Sequence, residues 1–345
     1  MYRHAIVSAF VLATVIPVGP SMHTNTAQAA APAATSPATS GDFSGRVDIG
    51  GRSLYLECRG QGSPIVILEA GAMGRADVWS RDSLHPAGER TMVLPGVAEF
   101  TRVCAYDRPG TLGEVNPKLD PRGPLFFPGR SDPVPQPRTT RDKVADLHAL
   151  LSAAHVPGPY VLVGHSAGGL VVRLYASTYP DEVVGMVLLD TTHENTWRRF
   201  HEALAPAQWA QFEALTVKNQ EMLDAYPEAE QWWTAPLDDD ASTGQVREAR
   251  DGAPLRSMPL VVLAHGIPFA APFQGWPSDK MERIMSALQK DLSQLASGAR
   301  FKVAAKSGHN IHQDQPELVI AAIRQVVEAV RDPSVWSPSP ASPAK

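Results

Sequence analysis

The sequence predicts an α/β fold, and three observations carry that expectation. Short continuous apolar runs recur along the chain, and segments with helical periodicity fall between them. The pentapeptide Gly164-His165-Ser166-Ala167-Gly168 joins one such run to one such segment. An apolar run without alternation marks a strand buried on both faces. Strands that alternate with helices imply a mostly parallel sheet covered on both sides. The first two strands read as a hairpin, residues 46–49 and 53–58, turning at Gly50-Gly51. Runs at 64–68, 102–106, 160–163, 184–189 and 259–264 follow, with a weaker one at 300–304. Helical spacing appears at 140–154, where Val144, Leu147, Leu150 and Leu151 share a face, and again at 170–179 and 316–330.

Two stretches interrupt the alternation. Residues 110–138 hold seven prolines and few helix formers; a loop that long is usually functional or disordered. Residues 193–257 are helical and acidic and carry Trp197, Trp209, Trp232 and Trp233. They lie between two strand signals, so they read as a helical cap inserted over the sheet. The core is then divided into 42–192 and 258–331.

Both ends have a different character. Arg3, an apolar run over 5–15 and the triplet Ala27-Gln28-Ala29 read as a signal peptide over 1–29. The Ala/Pro/Ser/Thr-rich residues 30–41 read as a disordered leader and the Ser-Pro repeats of 332–345 as a disordered tail. The expected destination is outside the cytoplasm, as a secreted or periplasmic protein with no stable membrane association.

Composition narrows the function. Of 345 residues, 43% are apolar and 19% charged, a globular balance. Lys+Arg at 31 against Asp+Glu at 36 leaves −5, with no basic footprint for nucleic acid. Two cysteines are too few for a cysteine-rich zinc module. No metal and no cofactor is expected, and oligomeric state is not addressed by any of these features.

Chemistry concentrates at Ser166. The pattern G-x-S-x-G between a buried strand and a helix is a nucleophile elbow, a sharp turn that exposes the serine. Small neighbours are needed because a Cβ at 164 or 168 would collide with the chains packed there. A serine hydroxyl attacks a carbonyl only when a base takes its proton. His309, in a Gly-containing loop after the last strand signal, is the expected base. His312, three residues on, could suggest a metal pair with it, but no carboxylate and cysteine pattern accompanies them.

These residues resemble the α/β-hydrolase superfamily over residues 46–332. Besides the elbow, Tyr106-Asp107-Arg108-Pro109-Gly110 resembles the family's Y-D-x-x-G turn. Ser307-Gly308-His309 resembles its C-terminal histidine loop, and Gln315-Pro316-Glu317 the opening of its last helix. The resemblance implies an eight-stranded, mostly parallel sheet with helices on both faces and an inserted cap. It implies a Ser-His-acid triad, with the acid usually after the seventh strand. Here that position reads Ala264-His265-Gly266-Ile267-Pro268 and offers no carboxylate. Asp190 ends the sixth strand signal, where such sheets present functional groups and where lactonase and dehalogenase branches carry the acid. Asp190 is therefore the expected acid, with Glu194 and Asp279 as alternatives.

An acyl-transfer site also needs oxyanion donors. The resemblance assigns the backbone N–H of Ala167 and, from the turn after the third strand, that of Ala72, with Met73 second. Met73, His165 and Trp197 are the expected substrate-contacting residues, although the elbow turns His165 from the nucleophile. Glu69 departs from the resembled turn, and a buried salt bridge to Arg108 is open to it. Cys58 and Cys104 fall on strands that are antiparallel neighbours in the resembled fold, within disulfide range.

The expected activity is cleavage of a small-molecule carboxylic ester or lactone through an acyl-enzyme on Ser166. A proline-iminopeptidase-like aminopeptidase shares the triad and needs acidic groups for a free amine; Glu194 or Asp238-Asp239-Asp240 could serve. A non-catalytic binding protein on a hydrolase scaffold is the third reading. Haloalkane dehalogenase and epoxide hydrolase chemistry is disfavoured, because those groups use aspartate at the elbow.

Overall fold

The apolar runs become the strands of one sheet in the computed structural model, which describes residues 41–111, 113–114, 126–127, 129–221 and 229–336. The strands are β1 (Phe43–Asp48), β2 (Ser53–Arg59), β3 (Ile65–Glu69), β4 (Val103–Tyr106), β5 (Gly113–Glu114), β6 (Phe126–Phe127), β7 (Tyr160–His165), β8 (Val183–Leu189), β9 (Leu260–His265) and β10 (Arg300–Ala304). Eight of them form the main sheet in the order β1-β2-β4-β3-β7-β8-β9-β10, while β5 and β6 pair as a small ribbon. β2 runs antiparallel to β1 and β4, and every other pairing in the main sheet is parallel. The strands β3, β4, β7 and β9 are buried along their whole length, as uninterrupted apolar runs require.

Nine α-helices lie among the described residues: α1 (Val93–Ala98), α2 (Thr140–Ala153), α3 (Gly168–Thr178), α4 (Thr196–Ala203), α5 (Pro206–Glu221), α6 (Ala241–Gly252), α7 (Ser278–Leu292), α8 (Ile311–Asp314) and α9 (Pro316–Arg331). One core cluster joins the sheet to α2, α3 and α6 through Leu147, Leu170 and Val246; the other joins it to α1 and α9 through Leu94 and Ile323. Both faces of the sheet are thereby covered. Cys58 lies directly opposite Cys104 in the β2–β4 register and is bonded to it. Closing a 46-residue separation this way stabilises the fold by about 4 kcal/mol on the chain-entropy estimate.

The insertion between β8 and β9 divides, and this corrects the 193–257 boundary. Trp197, Phe200, Leu204, Trp209, Phe212 and Leu237 build a cluster with Met281 of α7. In contrast, α6 packs on α2 and α3, and Trp232 and Val246 belong to the sheet core. The Asp240 side chain accepts the Thr243 N–H at 3.0 Å and so starts a new helix. The cap proper therefore ends before α6.

The tail differs as well. Pro333–Trp336 form a 3-10 turn, with the Arg300 guanidinium 4.0 Å from the Trp336 ring centroid, so order extends past residue 332. The expected signal peptide, nearly all of the leader, much of the proline-rich stretch and residues 337–345 lie outside the described residues.

Candidate active site

Parallel register brings the first two candidate residues together. His165 of β7 pairs with Leu189 of β8, so Ser166 and Asp190 are the first residues past the ends of adjacent strands. Both take left-handed backbone, with φ +52° and +44°, a conformation that a non-glycine residue holds only under constraint. At the elbow the constraint is packing: a Cβ on Gly164 would meet Val172 Cγ2 at 2.7 Å, and one on Gly168 would meet Ala70 O at 2.4 Å. Asp190 is held by its own N–H, which donates to Leu263 O at 2.7 Å.

His309 arrives from the loop after β10. Gly308 N–H donates to Asp314 Oδ2 at 2.9 Å, and Ile311 N–H donates to His309 O at 3.0 Å. His309 Nδ1 lies 2.7 Å from Asp190 Oδ2, so Asp190, and neither Glu194 nor Asp279, makes that contact. The Nδ1 proton then belongs to this bond, and Nε2 keeps its lone pair. Ser166 and His309 are half-buried, while Asp190 is fully enclosed. The hydrogen bonds among the described residues do not include one from Ser166 Oγ to His309 Nε2; such contacts often tighten only when substrate binds.

Asp190 has a second imidazole partner that the sequence reading missed. His265 Nδ1 lies 2.6 Å from Asp190 Oδ1, and the His265 backbone N–H donates to the same oxygen at 3.2 Å. The other ring nitrogen meets Glu282 Oε1 at 2.8 Å. Burial opposes charge on His265, but the two carboxylates outweigh it and push its pKa up to about 10. Burial also opposes ionisation of Asp190, and the bonds from His265 and His309 win, holding the carboxyl well below its usual range. The signal available was the empty seventh-strand position itself, which places an imidazole where a carboxylate is usual.

On the other side of His309 the histidines are neutral. His165 Nε2–H donates to His309 O at 3.0 Å, and its ring lies 4.7 Å from that of His309 and 4.4 Å from that of His312. Burial, then His312 and His309, drive the pKa of His165 well below the ordinary value. Burial, then His309, pushes that of His312 down to about 3. His165 is thus a buried support for the His309 loop, which corrects its expected role as a substrate contact.

The turn after β3 closes on itself through Gly74 N–H to Gly71 O at 3.0 Å. It lies against the elbow, since a Cβ on Gly71 would sit 3.0 Å from Ser166 Cβ. Among the described residues, the N–H groups of Ala72 and Ala167 have no protein acceptor. Met73 is different: its N–H donates to Glu230 Oε2 at 3.0 Å, so it is removed as a second oxyanion donor. Trp197 is buried against Phe200, Phe212 and Trp233 within the cap, so its wall is the cap's own core. The Glu69–Arg108 salt bridge is present and fully buried, and Glu230 joins it.

Three of the four carboxylates suggested for a free amine, Glu194, Asp238 and Asp240, are engaged elsewhere. Glu194 pairs with Arg173 and Arg250 at 2.7 Å each, and Asp238 meets His201 Nδ1 at 2.6 Å. Asp240 caps α6.

An elbow serine, a histidine loop and a strand-end acid on this sheet define an α/β hydrolase. The alpha/beta hydrolase family profile matches residues 65–322, and the chain belongs to that family. It is 26% identical over 329 residues to the Hormonema carpetanum protein named "Probable transporter efuK", covering 84% of this chain but 43% of that protein. Over 151 residues it is 36% identical to the pimeloyl-[acyl-carrier protein] methyl ester esterase of Chromobacterium violaceum, covering 42% of this chain and 45% of the esterase. The fold is similar to that of Cfl2 from Burkholderia cenocepacia, with a TM-score of 0.51 and 20% identity over 86% of this chain and 100% of that one.

Proposed function

We propose that the protein is an exported serine hydrolase that cleaves carboxylic esters, lactones included. The single observation behind this reading is the His309 Nδ1–Asp190 Oδ2 contact beside the elbow serine. Asp190 holds His309 in the tautomer whose Nε2 can accept a proton. Ser166 Oγ loses its proton to that nitrogen and attacks the ester carbonyl carbon. The N–H groups of Ala72 and Ala167 stabilise the oxyanion. His309 then protonates the leaving alkoxide, and water, activated by the same nitrogen, releases the acid. The methyl ester esterase of Chromobacterium violaceum supports an ester substrate by its name. An amine-binding peptidase is less favoured, because Glu194, Asp238 and Asp240 already have partners. Export rests on Arg3, the apolar run and the Ala27-Gln28-Ala29 triplet.

Hydrolysis of short p-nitrophenyl esters and labelling by a fluorophosphonate test the reading together. Ser166→Ala should remain folded, take no label and lose about 10,000-fold or more in kcat, as removal of a triad nucleophile does. A folded variant that keeps a tenth of wild-type turnover refutes the nucleophile. A wild-type protein that takes no label at Ser166 supports the binding-scaffold reading instead.

A further inference from the structure

Arg108 uses all five of its N–H donors in one buried cluster. Its Nε donates to Glu230 Oε1 at 2.7 Å; Nη1 donates to Glu69 Oε1 and to Ala70 O, the latter at 2.9 Å. Nη2 donates to Gly71 O at 2.6 Å and Glu230 Oε2 at 2.9 Å. Tyr106 donates its hydroxyl to Glu69 Oε2 at 2.5 Å. The guanidinium therefore grips two consecutive carbonyls of the turn that carries Ala72, and Glu230 grips the N–H of Met73 in the same turn.

Peptide geometry gives this grip a direction. A trans peptide is planar, so its C=O and N–H point opposite ways. With Gly71 O fixed toward Arg108, the N–H of Ala72 is aimed away from Arg108. Met73 sits at φ +58°, a strained position worth about 1–3 kcal/mol that persists only where neighbours overdetermine it. Glu230 is one such neighbour, and it comes from the insertion between β8 and β9. Its own N–H donates to Gly110 O at 2.8 Å, and the nearby Trp232 ring lies 5.2 Å from the Arg108 guanidinium and 4.1 Å from Lys143 Nζ. Residues 229–232 are thus seated across the turns after β3 and β4.

We propose that Arg108 and Glu230 are positioning residues for the oxyanion hole, so that the Ala72 donor is in place only when the returning segment of the insertion is docked. The inference rests on the serine-hydrolase reading and adds to it a link between insertion and transition-state binding. Neither residue touches substrate. Their effect passes through the turn, and it falls on transition-state stabilisation more than on substrate binding.

The test compares Glu230→Gln and Glu230→Asp with wild type on p-nitrophenyl acetate. Gln removes the charge; Asp keeps it but draws the carboxylate back from Met73, and it is the variant expected to fold if Gln does not. Loss of one oxyanion donor costs about 100-fold to 1,000-fold in kcat. Misaiming it should cost about 100-fold in the Gln variant and about 10-fold in the Asp variant, with KM within about 3-fold. Inhibition by a boronic acid, which mimics the tetrahedral intermediate, should weaken by the same factor as kcat/KM. A purely structural role would lower the melting temperature and leave both readouts unchanged. Folded variants with wild-type kcat and boronate affinity overturn the inference while Ser166 labelling leaves the hydrolase reading standing. Absence of labelling and turnover in wild type removes both.

Discussion

The two sides of His309 are built from the same residue type, charged on one side and neutral on the other. Toward β9, His265 is clasped between Asp190 and Glu282 and is held as an imidazolium. Toward β7, the His165 and His312 rings lie tilted against one another, with His312 beside Trp79; burial comes first among the causes, and both are held neutral. Burial is common to all three. The difference lies in whether a carboxylate is present to repay desolvation. One flank supplies fixed charge to the acid, and the other supplies shape to the histidine loop.

Breaking the charged flank at its centre should give the largest effect. Asp190→Asn replaces the acceptor of the His309 Nδ1 proton with an amide that can turn its N–H toward the ring. The histidine would then present the wrong tautomer to Ser166, and such a change in other triads costs about 10,000-fold in kcat. The expected outcome is that loss with intact near-UV circular dichroism. A folded Asn variant within 10-fold of wild type would mean that His309 is not held by Asp190.

Removing the outer half of that flank separates charge from hydrogen bonding. His265→Asn keeps one donor for Asp190 and deletes the cation. A hydrogen bond to a charged group contributes about 1.5–3 kcal/mol, so stability at pH 7 should fall by about that amount, with kcat reduced less than in the Asp190 variant. The pH dependence is the sharper readout. The pKa of His265 is raised in the fold from 6.5 to about 10. Its contribution is therefore complete below about pH 6.5, declines as pH rises, and is lost above about pH 10. Denaturant midpoints of wild type should decrease across that window, and those of the Asn variant should decrease less. Parallel curves would show that His265 is not charged in the fold.

What was legible in the sequence follows the same division between local and distant causes. The strands were legible because burial on both faces writes itself into consecutive residues, as in Val66-Ile67-Leu68. Ser166 and His309 were legible from local turns, and Asp190 from its place at a strand end. The helix α1 was not, because Pro95 and Gly96 interrupt its spacing. By contrast, α7 carries Met281, Leu288 and Leu292 on one buried side at helical spacing, yet it is absent from the helices expected above. His265 and Asp190 are 75 residues apart, and Glu230 and Met73 are 157 apart. Such pairs leave no periodic trace, since each partner looks like an isolated polar residue until the sheet brings them together. The late end assigned to the cap, at residue 257, has the same origin, because nothing local distinguishes a helix resting on the cap from one resting on α2 and α3.

The neutral flank should respond least, and at the opposite end of the pH scale. His312 is buried, its Nδ1 has no hydrogen-bond partner among the described residues, and its ring lies 5.0 Å from that of Trp79. His312→Phe keeps an aromatic ring against Trp79 and removes an unsatisfied polar atom. That removal recovers about 1–3 kcal/mol of desolvation, while the larger ring costs about 1–3 kcal/mol in overpacking. The net change at pH 7 should therefore be small. Acid separates the two proteins. The pKa of His312 is lowered in the fold from 6.5 to about 3, so between those values the unfolded chain binds a proton that the native state refuses. Stability then falls as pH drops from about 6.5 toward 3. The Phe variant lacks that contribution, so its melting temperature should decline less steeply over this range and exceed that of wild type near pH 4. A wild type and variant that fall in parallel would show that His312 is protonated in the native state.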